Sequence, residues 1–591
     1  MIRTRIIALS CLSWLCHKAR TMNDTVAAGK KFTLTEWLVI IVAVIGFAFD
    51  TYELLMTPLI AGPALAEILQ VPLNHPSIKE WVGRLLWLSA LSGGIFGLLG
   101  GWLTDRFGRK TVLFASIAVY SVSPVLAALS TTLEWFIFFR CTTFVGVCVE
   151  FIAAITWLAE LFPDKRRKEL VLGVTQAFAS IGGLMVTGMS AYILANANGL
   201  PALPLPEPFN AHASWRYLLM TGLLPALPIA LLLPFVPESQ AWLERRKAGT
   251  LRRPSLLELF SPQLRRATLV TAGLSACAYG AAFGALQLTP TQIVPGLSDL
   301  AAQRAVLKPL QEEAREFIKQ LDEVRPRFQQ ACAEVPGLQE VASQRARVRI
   351  AMRETRKGLD STNTSPGQLP TLSTKMAGLT NRLAELDGEV TRLTEGKPEA
   401  KKTLMEREKI LGQLGGNREK QEPADKVIKA RGNSVQLYQE FGGLAGRIAL
   451  ALLLVAAIGK RTLLRLFQVP GLIVLPLTYV FLFRSDPELF KWGMAAAGFL
   501  TVAQFSFFGE YLPRIFPMHL RGTGGSFATN VGGRMFGTSA AYITTVVLAP
   551  RFGGTPFEQV ATAAAIVGTA VFVIGLGLSF LLPEPKAEAR E

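Results

Sequence analysis

Roughly twelve runs of about 20 mostly apolar residues, separated by short polar loops, constrain this chain more than any other feature. A run of that length is what an α-helix needs to cross the hydrocarbon core of a bilayer, roughly 30 Å thick. The runs cover approximately 37–60, 83–103, 111–131, 134–161, 170–194, 215–236, 267–289, 437–458, 463–484, 489–512, 522–548 and 557–582. The expected fold class is therefore an all-α membrane protein with twelve transmembrane helices. Only 18% of the 591 residues are charged, against about 25% in soluble chains. A net charge of +17 suits nucleic acid, an anionic membrane or an acidic substrate, and so apolar a chain argues against nucleic acid. Six cysteines without CxxC spacing and four scattered histidines point to neither a disulfide framework nor a zinc site. Without a GxxxxGK[ST] loop, ATP-driven chemistry has no support.

Charge sets the expected orientation. Basic clusters follow the second, fourth, sixth and eighth runs: Arg106, Arg109 and Lys110; Lys165 to Lys168; Arg245, Arg246, Lys247, Arg252, Arg253, Arg265 and Arg266; Lys460, Arg461 and Arg465. The short odd-numbered loops hold few (Lys79, Arg216, Arg551). The positive-inside rule then puts the even loops and both termini in the cytoplasm. Residues 1–36 contain a short apolar run, Ile6 to Cys16, with basic flanks but no small-x-small cleavage site. They are read as a cytoplasmic tail, with Met22 as an alternative start.

Between runs seven and eight the composition breaks. Residues 289–435 hold 25 Lys or Arg and 20 Asp or Glu. Leu372, Met376, Leu379, Leu383, Leu386, Val390 and Leu393 alternate by four and three, as do Leu310, Ala314, Phe317, Leu321 and Val324. This is the a/d seam of a coiled coil. The segment from Ser361 to Pro370 reads as the turn between two arms. Loop parity puts this helical hairpin outside the cytoplasm. Lone Cys332 is either a free thiol or an intermolecular partner.

An internal repeat divides the rest. Gly108-Arg109-Lys110 and Gly459-Lys460-Arg461 lie 351 residues apart, and Phe162-Pro163 and Phe516-Pro517 lie 354 apart. Two unlike motifs with nearly one offset indicate two six-helix halves, a common transporter plan.

Gly101-Trp102-Leu103-Thr104-Asp105-Arg106-Phe107-Gly108-Arg109-Lys110 resembles the loop 2–3 signature of the major facilitator superfamily. Pro237-Glu238-Ser239-Gln240-Ala241-Trp242-Leu243 resembles the PESPRWL motif of its sugar-porter-like members. Tyr511 to Gly524 resembles the loop 10–11 motif of its sugar and organic-acid symporters, and Leu582-Pro583-Glu584-Pro585 their C-terminal PET. The insertion shares none of this, and Ala456 stands where a second signature Asp would be. The resemblance implies that Gly101, Asp105, Gly108, Arg109, Glu160, Arg167, Glu238 and Arg521 latch the two halves in one conformational state. A plain topogenic loop is the alternative.

Charges inside the runs mark the transport path. Asp50 and Glu53 lie three apart on run one and share a helix face. A mid-bilayer carboxylate costs several kcal/mol and marks an ion or substrate path by default. The pair matches the acidic pair of organic-acid/proton symporters in the family, and a purely structural ion pair is the alternative. Arg140, at similar depth on run four, is expected to pair with Asp50 or Glu53. Glu150 lies ten residues further on, about 15 Å deeper, as a second proton station or gate. Phe144, Cys148 and Val149 stand where the family's run-four glycines would be. Gln176, Gln287, Arg447, Asn530 and Arg534 are substrate-binding candidates. Arginines suit carboxylates and amides suit sugar hydroxyls, while Arg447 and Arg534 have the alternative of anchoring helices at the lipid boundary. Gly93, Gly97 and Gly101 form a small-residue packing face.

The expected organisation is a cytoplasmic tail (1–36), a six-helix half (37–236), a cytoplasmic central loop (237–266), helix 7 (267–288), an extracytoplasmic coiled-coil insertion (289–435), helices 8–12 (436–582) and a cytoplasmic tail (583–591). The expected function is alternating-access transport, first of an organic anion with a proton. A sugar or polyol transporter, an exporter, and a sensor or assembly protein built on the insertion are the other readings. No cofactor beyond the coupling proton is expected. The expected partners are a small-molecule substrate, the lipid bilayer and, through the insertion, a protein or a second copy. The expected location is a bacterial inner membrane.

Overall fold

A computed structural model describes residues 32–584 apart from 70, 72–75, 163, 206–208, 211, 251–253, 361–368 and 456–458. The expected start at Met22, the Ser361–Pro370 turn (all but its last two residues) and Ala456 lie outside the described residues. Every regular element among the described residues is helical. α1 (Leu34–Ile68) starts at a capping box in which Glu36 N donates to Thr33 Oγ1 and Thr33 N donates to the Glu36 carboxylate. α2 (Pro76–Phe107) and α3 (Arg109–Ala128) meet at Gly108, whose φ of 103° is open to glycine and strained for other residues. α4 (Leu133–Leu161) follows. The fifth apolar run is broken at Phe178 into α5 (Lys165–Ala177) and α6 (Ala179–Asn196). The sixth divides into α7 (Ser214–Met220) and α8 (Ala226–Leu232), and α9 (Gln240–Lys247) lies in the loop after it.

α10 (Arg265–Gly284) leads through short turns to α11 (Ala301–Glu334), α12 (Leu338–Asp360), α13 (Leu369–Leu393) and α14 (Pro398–Val455). The remainder comprises α15 (Lys460–Pro476), α16 (Pro487–Ile515), α17 (Arg521–Ser526), a π-helical stretch over Phe527–Gly537, and α18 (Pro556–Leu581). Among the described residues, nine helical stretches are long and apolar enough to cross a membrane. The other three expected runs are irregular or diluted. The run expected from 437 onward is, as far as Val455, the end of α14 and carries Glu440 and Arg447. α16 holds Gln504 and Ser506. The run at 522–548 is cut into α17 and shorter α and π pieces.

Apolar burial splits the membrane body. One core cluster draws only on residues from Val39 to Val236. Two others draw on residues from Leu259 to Leu582.

The insertion differs from a two-armed hairpin. Turns at 335–337 and 394–397, with Gly337 and Gly396 at positive φ, divide it further. α11 runs antiparallel to α14: Arg327 pairs with Glu406 at 3.0 Å, and Asn417 Nδ2 donates to Leu310 O at 3.0 Å. α12 runs parallel to α14, with Arg345–Glu408 at 2.7 Å and Arg353–Glu419 at 3.3 Å. α13 returns along α12, where Arg345 meets Asp387 and the end residue Leu393 faces Gly337. The result is four helices, alternately up and down. Local periodicity marked the apolar seams, and Leu386 and Val390 are buried with their seam partners half-buried. It could not mark the turns. α14 has 58 residues, about 87 Å of helix, and runs without a break from the insertion into the expected eighth span. Arg431 ties its middle to Asp299 (3.0 Å) and Glu488 (2.9 Å). Hydrogen bonds from Lys491 and Arg431 hold the Glu488 carboxyl below its ordinary pKa. Cys332 is a half-buried free thiol whose pKa burial raises.

Candidate functional site

α1 brings two carboxylates into the interior. Asp50 and Glu53 are 8% and 1% exposed. They find different partners. Arg140 Nη1 on α4 lies 3.5 Å from Glu53 Oε2, and its Nη2 donates to Thr57 Oγ1 at 2.6 Å. Of the two carboxylates open to Arg140, it takes Glu53. Asp50 turns to the other half of the chain, where Arg534 Nη2 lies 3.3 Å from both of its oxygens.

Arg534 sits on the π-helical stretch with Asn530. Arg534 Nη1 donates to Asn530 Oδ1 at 3.4 Å. Asn530 Nδ2 donates to Cys148 O at 3.2 Å and Ser526 Oγ at 2.8 Å. π-helical segments recur at functional sites. The rings of Phe144 and Phe151 lie 5.9 and 5.7 Å from the Arg534 guanidinium. The glycines missing from α4 are replaced on α2: Gly93 faces Phe144, Gly97 faces Cys148, and Gly100 faces Val149.

Glu150 is fully buried beside Gly46, and neither of its oxygens has a hydrogen-bond partner among the described residues. Arg447 Nη1 donates to Gln176 O at 2.6 Å, and its guanidinium lies 6.0 Å from the Phe505 ring. Both side-chain amide atoms of buried Gln176 lack hydrogen-bond partners among the described residues. Gln287, half-buried in the Leu286–Leu288 turn, has no hydrogen bond to these groups among the described residues.

A second cluster joins α2 to α17. Asp105 accepts from Gly522 N (2.9 Å), Thr523 N (2.8 Å) and Thr523 Oγ1 (2.8 Å). Gly101 and Gly522 permit the approach, because a methyl on either would strike the other's carbonyl. Arg109 pairs with Glu160 at 2.9 Å and donates to Met518 O at 3.0 Å. Arg521 lies 3.5 Å from Glu160. Of the other expected members, Arg167 sits apart and Glu238 meets the cluster at the backbone of Arg109 and Lys110. Arg167 pairs with Glu36 at 3.4 Å and lies over Phe32, both within the first half. Glu238 accepts from Arg109 N and Lys110 N, both at 3.1 Å, and so caps α3. Its carboxylate faces the orphan amides of a helix start rather than the other half.

Sequence reasoning missed several partners. Lys460 and Arg514 flank buried Glu510 at 3.4 and 2.8 Å. Lys460 is the repeat counterpart of Arg109, and that offset could have found it. Arg216, read as a loop charge, is fully buried and lies 3.2 Å from Glu67. Thr523 and Met518 O carried no signal, since backbone donors and acceptors have no sequence signature.

Comparison with known proteins adds the following. The family model described as Major Facilitator Superfamily matches residues 34–308. The niacin transporter NiaP of Acinetobacter baylyi is 25% identical over 207 residues, covering 34% of this chain and 40% of that protein. The arabinose-proton symporter of Bacillus subtilis is 29% identical over 174 residues, covering 29% of this chain and 35% of that protein. The alignments thus span two fifths or less of these relatives' length. The proton:xylose symporter XylE, solved with 6-bromo-6-deoxy-D-glucose, superposes with a TM-score of 0.53 at 14% identity, covering 93% of this chain and 96% of that one. At that identity the likeness concerns the fold.

Proposed function

We propose that the chain is a secondary transporter of the major facilitator superfamily, taking up a small organic anion with a proton. The observation that carries this reading is the Asp50–Arg534 pair, which joins the two halves through a carboxylate and a guanidinium. A proton on Asp50 or an anion at Arg534 dissolves that pair, and the halves then separate around the site. Glu53–Arg140 is a second pair, confined to the first half. Glu150, with no hydrogen-bond partner, serves as the second proton station. In this reading the chain has twelve spans in a bacterial inner membrane, with both termini cytoplasmic. The Asp105 and Arg109 cluster closes the cytoplasmic side. The insertion is extracytoplasmic, with coiled-coil packing and a surface for a second copy or a protein partner.

Buried Arg140 and Arg534, with half-buried Arg447, favour an anion, because guanidinium groups match carboxylates. Niacin, the solute in the name of one relative, is a carboxylic acid. A neutral sugar is the second reading, favoured by the unpaired amide of Gln176 and by the arabinose symporter. Uptake of labelled niacin and arabinose into proteoliposomes separates the readings. Accumulation of the acid that follows an imposed pH gradient and collapses with a protonophore is expected. Accumulation of the sugar alone, or uptake indifferent to the gradient, overturns it.

A further inference from the structure

We propose that the Tyr120 hydroxyl on α3 relays the coupling proton from Asp50 to Glu150, and that this path closes only after Asp50 has left Arg534. This rests on the proton-coupled reading above and adds to it the group that joins its two acids.

The signal is a buried hydroxyl set between buried acids. Tyr120 is 0% exposed, and its hydroxyl has no hydrogen-bond partner among the described residues. Buried polar atoms in native proteins are nearly always paired. Helix register places acids beside this one. α4 packs along both α1 and α3. α3 and α4 run antiparallel: Thr142 Oγ1 donates to Ser123 Oγ at 3.0 Å, and one turn deeper a methyl on Gly146 would strike Tyr120 Cβ. Glu150 lies one further turn along α4. Long side chains on a helix lean toward its N-terminus. In antiparallel neighbours the two leans oppose, so the Tyr120 ring and the Glu150 carboxylate approach each other. α1 completes the cluster. A methyl on Gly46 would strike Glu150 Oε1, and Asp50, one turn on, leans back toward that level. Glu150 is the acid that acts most strongly on the Tyr120 hydroxyl, followed by Asp50 and then Glu53. Glu53 sits further out, against Gly222 and paired with Arg140.

A phenol between two carboxyl groups passes a proton without becoming charged, because its oxygen accepts while its O–H donates. Protonated Asp50 gives its proton to the phenol oxygen as the phenol's own proton moves to the Glu150 carboxylate. One O–H bond forms and one breaks at the phenol, Asp50 is left as the anion, and Glu150 becomes the acid. Rotation of the hydroxyl resets the path. In this conformation the path is open. Arg534 holds Asp50 through two contacts of 3.3 Å, and the Glu150 oxygens and the Tyr120 hydroxyl are without hydrogen bonds among the described residues. Arg534 is also the cation that acts on Glu150. The release of Asp50 from Arg534 is the event that parts the two halves, so proton transfer and opening depend on one contact.

The test uses the full-length protein in proteoliposomes and Tyr120→Phe, which keeps the ring against Gly146 and removes only the hydroxyl. Two rates are read with labelled niacin, or with labelled arabinose where that is the solute wild type accumulates. One is uptake driven by an imposed pH gradient, and the other is exchange against the same unlabelled solute at equal pH. Exchange returns the loaded carrier and needs no proton to pass from one acid to the other. The ratio of driven uptake to exchange is expected to fall at least about tenfold in Tyr120→Phe. An unchanged ratio, whether both rates hold or both fall together, overturns the relay and leaves the proton-coupled reading standing. Wild type that accumulates neither solute under the gradient overturns the proton-coupled reading and the relay with it. Where Tyr120→Phe fails to fold, 3-fluorotyrosine at position 120 decides, since it keeps the ring in place and alters the acidity of the O–H. The same ratio is then expected to change at least about twofold, and an unchanged ratio overturns the relay.

Discussion

Asp50 and Arg534 lie 484 residues apart in the chain and 3.3 Å apart in space. The pair is nearly buried, and its contacts are longer than the 2.7–2.9 Å of a strong charge-assisted bond. Removing one member of a buried pair costs about 3–5 kcal/mol, because the other stays charged without a partner. Arg534→Met should therefore lower thermal stability markedly. Asp50→Asn combined with Arg534→Met should recover most of that loss, as read by intrinsic-fluorescence melting in detergent. Additive losses in the double variant would show that the pair does not couple.

Asp105 accepts three hydrogen bonds from Gly522 and Thr523 of α17. Asp105→Asn keeps the shape but removes the charge that strengthens each bond. A hydrogen bond to a charged group contributes roughly 1.5–3 kcal/mol, so losing even one bond's worth shifts the conformational balance at least about tenfold. Spin labels on α9 and at the end of α18 should report longer distances in the variant. An unchanged distance distribution argues that the cluster does not hold the halves together.

In the insertion, Arg345 is 1% exposed and Glu408 6%. Their two hydrogen bonds are both 2.7 Å, and Arg349 adds a third contact to Glu408 at 3.1 Å. Glu408→Ala should destabilise the four-helix segment by about 3 kcal/mol, and Arg345→Met with Glu408→Met should restore it. Hydrogen exchange across α12 in the full chain is the measurement. Unaltered protection in Glu408→Ala would refute the assignment.

Glu488, exposed at the base of the insertion, gives a pH prediction. Lys491 and Arg431 depress its folded pKa below the ordinary 4.5. Their stabilisation is thus fully present above about pH 4.5 and is lost as pH falls through the lower folded value. Exchange at the α14–α16 contact near Arg431 should rise on acidification below pH 4.5, and Glu488→Gln should remove that dependence. An identical acid response in the variant counts against it.

Much of the site was legible as residue types and little of it as pairings. Asp50, Glu53, Arg140 and Arg534 stand out because a charge within an apolar run is costly. The Gly101-to-Lys110 signature pointed to the α2–α17 cluster. Arg167 and Glu238 were assigned to that cluster on motif position, and the structure turns both toward the first half. The four-helix insertion was read as two arms because a seven-residue repeat records which face is apolar and not where the helix turns.

The sequence by itself determined the helical class, the apolar runs and several of the buried charges. Those properties follow from local hydropathy, charge and period. The tertiary structure alone decided that Asp50 reaches across to Arg534 while Glu53 keeps Arg140. Residues three apart on one helix differ by about 60° in direction, so which arginine each meets depends on how distant helices pack. The glycines that let α2 meet α17 and α4, and the backbone amides of Gly522 and Thr523 that hold Asp105, act through shape. Shape arises only when the chain is folded.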